Sequence, residues 1–149
     1  MSTSLNKSAQ PTIDRIIELM EEIKKIELSL PDRNLPMEVQ QQQYESKERI
    51  VKDKVKRLEM YASNLEMINQ KWLDLIQQTT ATAKKREEEK YERMVNDKQG
   101  ILHMINNSKE TIITLHSYCN DLEMVFQKGK LLATTEKELV KPSPLIIRQ

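Results

Sequence analysis

Apolar residues along this chain recur at steps of three and four through two long stretches, and those stretches contain almost nothing that would break a helix. From Met37 to Lys141 there is no proline, and the only glycines are Gly100 and Gly129. An interior proline costs a helix on the order of 3 kcal/mol and a glycine about 1 kcal/mol, so this stretch is written to stay helical. At 1.5 Å per residue a single rod of that length would reach roughly 160 Å. It must fold back on itself, pair with another chain, or do both.

The first stretch carries Val51, Val55, Leu58, Ala62, Leu65, Asn69, Trp72, Ile76 and Thr79, alternating by fours and threes as a heptad seam does. Asn69 could sit on the seam and fix register, or yield the inward position to Ile68 and face water. The second stretch repeats the pattern with Ile101, Ile105, Ser108, Ile112, Leu115, Cys119, Leu122 and Phe126. Between them the run from Lys84 to Lys90 is charged and has no seam, which makes it a solvated helical face.

An earlier amphipathic segment places Ile13, Ile16, Met20, Ile23 and Leu30 on one stripe, widened by Ile17, Leu19 and Ile26. Pro11 or Thr12 opens this helix and Pro31 closes it, giving a span of about 12–30 and leaving residues 1–10 as a disordered terminus. The connector from Pro31 to Pro36 is rich in turn formers, and a second helix follows over 37–78 or 37–95. A third starts at 84 or at 100 and reaches about 128. The chain reverses at the threonine cluster near 80 or at Asn96–Gly100, where turn chemistry is better. A helix running through both sites into a parallel dimer is also compatible with the pattern. Beyond Gly129 the pattern weakens, and 141–149, with Pro142 and Pro144, reads as an extended tail or linker.

The fold class that follows is all-α: an elongated antiparallel helical hairpin or coiled coil of three main helices, with the helical domain spanning about 11–140. Composition agrees, since 38% hydrophobic and 32% charged residues suit narrow seams better than a thick globular core. A formal net charge of +1 argues against nucleic-acid binding driven by bulk electrostatics. The start of the second helix is locally basic, with Lys47, Arg49, Lys52, Lys54, Lys56 and Arg57, and the first helix is locally acidic. Antiparallel packing of the two would bring these charges together. No run is long and apolar enough to span a bilayer, no secretory signal opens the chain, and the single Cys119 fits a reducing compartment, so an intracellular, cytoplasmic setting is expected.

Site chemistry is sparse. His116 and Cys119 lie one helical turn apart, but two ligands do not close a metal site, and Cys119 falls on the seam as a small hydrophobe. Two isolated glycines cannot build a phosphate loop. No catalytic residue, cofactor or metal is expected, and the candidate functional residues are those of the interaction seam, Val51, Val55, Leu58, Leu65, Trp72, Ile76, Ile101, Ile105, Ile112, Leu115, Leu122 and Phe126.

Trp72-Leu73-Asp74-Leu75-Ile76, the charged run through Lys90-Tyr91-Glu92 and the seam from Ile101 to Phe126 occur in an order that resembles the amino-terminal coiled-coil region of Gag-like polyproteins from nematode Bel/Pao retroelements. The resemblance covers Leu58 to Gln149. It implies a role in particle assembly, with the proline-bearing tail as lead-in to a following domain. The family's protease, reverse transcriptase and integrase lie outside such a region, so their activities do not transfer to this chain. A helical scaffold that associates with itself is the expected function, and a small subunit of a hetero-oligomeric helical complex, of tether, kinetochore or adaptor type, is the alternative. The partners are copies of this chain or other helical proteins.

Overall fold

The computed structural model describes residues 2–140, with side chains to 131. It is an all-α helical hairpin, and no strand occurs among the described residues. Three main helices, α1 (Ser2–Lys24), α2 (Met37–Gln78) and α4 (Ile101–Val140), are joined by a shorter α3 (Ala81–Asn96).

Two boundaries of the first helix differ from the sequence expectation. It starts at Ser2, so residues 2–10 are helical and not disordered, and Pro11 lies inside it. The buried stripe explains this. Ser2 and Ala9 are covered on the same face as Ile13, Ile16, Leu19 and Ile23, while the Pro11 ring sits on the exposed side. At the other end the helix stops at Lys24 and not near Leu30. Ile23 is the last buried side chain, and two tight turns close the helix, Lys25 N–H donating to Glu22 O and Ile26 N–H to Ile23 O. The residue before Pro31 is biased toward extended backbone as well.

Of the two candidate reversal sites, the break near 80 turns the chain back: Tyr91 of α3 returns to Asn69 and Trp72, and α4 continues antiparallel to α2 with Lys109 on Glu66. The second site, Asn96–Gly100, bends the returning arm without reversing it. Thr80 ends the break after α2 and caps α3, its Oγ1 accepting from Ala83 N–H at 3.4 Å. The turn after α3 is closed by Asp97 N–H to Met94 O (3.2 Å), Gly100 N–H to Asp97 O (2.9 Å) and Gln99 N–H to Asp97 Oδ1 (3.0 Å). The third main helix then runs through Gly129 to Val140, past the expected end near 128. The expected tail, 141–149, lies outside the described residues.

The chain forms two compact units, and α2 and α4 contribute to both. The first comprises residues 1–27 and 53–115. In it α1 runs antiparallel to α2: Thr12 Oγ1 donates to Asn64 Oδ1 at 2.7 Å, and Glu22 meets Lys54 at 3.2 Å. The Lys54–Glu22 pair joins an acid of α1 to the basic stretch of α2, as the charge pattern anticipated. Arg57 pairs within its own helix, with Asp53. α3 packs on the end of α2, where the Tyr91 ring stands edge-on to Trp72, with centroids 5.5 Å apart, and the Tyr91 hydroxyl donates to Asn69 Oδ1 at 2.7 Å.

The second unit comprises residues 28–52 and 116–149. Here α2 and α4 are antiparallel: Tyr44 stacks on Phe126 with centroids 4.6 Å apart, and one turn further Gln40 faces Gly129. Gln40 is buried and its Nε2 donates to the carbonyls of Arg33 (3.2 Å) and Leu35 (2.7 Å), fastening the connector to the start of α2. The Tyr118 hydroxyl donates to Ser29 O at 2.8 Å.

Candidate interaction surface

The heptad seams become the interior of each unit. In the first, Val55, Leu58, Leu65, Trp72, Ile76, Ile101, Ile105 and Leu115 are all buried. In the second, Val51, Leu122 and Phe126 are buried. Ile112 and Cys119 are only half-buried, and Tyr118 takes an inward position that the strict alternation gave to its neighbour. The register between Ile68 and Asn69 resolves in the same way: Ile68 turns inward, and Asn69 is half-buried as the acceptor for Tyr91 rather than turned to water. The charged run is mostly exposed, with Glu87 half-buried beside Lys90 at 3.8 Å.

Burial is unevenly shared. Among the described residues the second unit fully buries Gln40, Val51, Tyr118, Leu122 and Phe126, and every other buried side chain belongs to the first. Large exposed apolar side chains show the reverse bias. Leu28, Leu30, Val39, Ile50, Met124 and Leu131 belong to the second unit, against Met60, Met67 and Ile113 in the first. A two-helix pair has only one buried face per helix, so apolar residues on other faces stay in water unless something covers them.

Within the second unit three of these residues, Leu30, Met124 and Leu131, border a groove of about 660 Å³, walled on one side by Leu30 and Arg33 and on the other by α4 residues that include Asp121, Met124, Lys128 and Leu131. Sequence reading missed this surface because it followed the stronger seam on the opposite face of the same helix. The available signal was the pair Met124 and Leu131, seven residues apart and therefore on one side of a helix.

Two groups of this unit, Tyr44 and Cys119, are pushed toward their neutral forms. Tyr44 is pushed up to about 12, first by its hydrogen bond to the Glu48 carboxylate, then by burial and by the negative charges of Glu48 and Glu123. Burial also pushes the Cys119 thiol up, reinforced by Glu48 and opposed by Lys52, which disfavours the reactive thiolate. In the first unit, burial raises Tyr91. Among the described residues no three His, Cys, Asp or Glu side chains are grouped so as to hold a metal ion. No described helix is long and apolar enough to cross a membrane. A second, smaller cleft of about 290 Å³ in the first unit is lined by Trp72, Lys90 and Arg93, among others. The buried Nε1 of Trp72 has no hydrogen-bond partner among the described residues.

Compared with family models, curated proteins and solved structures, the chain matches none of them.

Proposed function

We propose that this chain is a non-enzymatic helical scaffold that acts by self-association. The observation that carries the reading is the distribution of apolar surface: the second unit buries few side chains and keeps Leu30, Met124 and Leu131 exposed along one groove. Contiguous exposed apolar surface of this kind marks protein contact sites. Because the two heptad seams are filled from within the chain, the contact is made by a face that the seams do not use. The same internal filling favours a second reading, a folded subunit that waits for a different helical partner.

Light scattering coupled to size-exclusion chromatography separates the two. Self-association predicts a mass that rises from about 17.5 kDa toward twice that value as the loading concentration increases. A constant monomer mass into the high micromolar range would overturn it in favour of the heteromeric subunit.

A further inference from the structure

Along the outer side of α4 the residues Ser117, Asn120, Met124, Gln127 and Leu131 follow each other at steps of three and four, the spacing of a two-heptad seam. All five are exposed, with Met124 at 70% and Leu131 at 67%. None is charged, in a chain where 32% of residues are. The stripe lies on the opposite side of the helix from the buried Tyr118, Leu122 and Phe126. α4 thus has two faces of seam type, one filled within the second unit and one facing solvent.

The charges beside this outer stripe point to its occupant. Asp121 and Lys128 each follow a seam residue, Asn120 and Gln127, and so occupy equivalent flanking positions seven residues apart with opposite sign. When two copies of one helix pair antiparallel about a two-fold axis, equivalent flanking positions face each other. With Met124 opposite Gln127 of the other copy, Asp121 of each chain meets Lys128 of the other, and the symmetry makes the pair twice. We infer that the outer face of α4 from Ser117 to Leu131 binds the same face of a second copy of this chain, antiparallel. The inference rests on the self-association reading and assigns its surface and direction.

Leu30, across the groove from Met124 and Leu131, adds apolar wall to the contact. The stripe is about 21 Å long at 1.5 Å per residue. A patch of this length falls at the small end of specific interfaces, so the dimer is weak and concentration-dependent.

Sedimentation velocity of the full chain over a concentration series tests this. Asp121→Lys or Lys128→Asp alone replaces two attractive contacts with two repulsive ones and should raise the dimer dissociation constant about tenfold or more. The double variant Asp121→Lys/Lys128→Asp should return it to within about threefold of the wild type. Rescue distinguishes antiparallel from parallel pairing, because in a parallel pair position 128 faces Glu123 and the swapped aspartate would be repelled. Circular dichroism of each variant checks that the helices remain. A double variant that stays monomeric while the wild type dimerises would overturn the antiparallel assignment. If all three variants, and Met124→Glu, dimerise as the wild type does, the surface is wrong and self-association stands. A wild type monomeric throughout the series would remove both.

Discussion

Ser108 stands on the second seam with its side chain fully covered and its Oγ without a hydrogen-bond partner among the described residues. A buried hydroxyl that has given up water without finding an acceptor is a net cost, and alanine is also the better helix former. Ser108→Ala should therefore raise stability by about 1 kcal/mol, read as a higher denaturant midpoint at unchanged slope. A loss of stability would mean that the hydroxyl is satisfied by a bound water. The pair Ile68 and Asn69 marks where residue-level reading stops. Consecutive positions on a helix differ by 100° in direction, and a seam of period 3.5 on a helix of period 3.6 drifts enough within a few turns to leave the choice between neighbours open. The deciding contact is Tyr91, which is distant in sequence and sits in a stretch that reads as solvated charge.

At the scale of elements, the two glycines have opposite reasons to be there. A Cβ on Gly100 would overlap the Met94 carbonyl oxygen and stand 3.0 Å from that of Asp97, because the turn between α3 and α4 folds the backbone onto itself. Gly129 lies inside α4, where a Cβ would meet Gln40 Oε1 at 3.5 Å and Met37 Cε at 3.9 Å, ordinary contact distances. Gly100→Ala should destabilise by about 2 kcal/mol or more through backbone displacement. Gly129→Ala should stabilise by up to about 1 kcal/mol through helix propensity. Thermal unfolding of the two variants beside the wild type checks both signs, and equal shifts would contradict the placement of the α3–α4 turn. The long helices and their seams were legible because aliphatic periodicity survives any local ambiguity. The true start of α1 was not, because its first covered positions are Ser2 and Ala9, small residues that carry no hydrophobic signal, and because Pro11 reads as a boundary unless its exposed side is known.

For the molecule as a whole, the unequal burial of the two units has a dynamic consequence. Local opening draws on segments with few buried apolar side chains, and amide exchange reports their free energies separately. Residues 53–65 lie under Val55, Leu58, Ala62 and Leu65, each almost wholly covered, whereas residues 37–50 bury only Gln40. Exchange should be slowest in the first of these segments and markedly faster in the second. In the sequence the outer stripe of α4 shows only as the pair Met124 and Leu131, because its other three positions are Ser117, Asn120 and Gln127, polar residues that hide a seam from a count of hydrophobic repeats. Its use can be read in the same experiment. A segment covered by a second copy gains protection by mass action as concentration rises, while a segment protected only by its own chain does not. Exchange monitored by mass spectrometry at low and high micromolar concentration should therefore slow over residues 116–131 and leave residues 53–65 unchanged. Concentration-independent exchange in both would mean that α4 keeps its outer face in water.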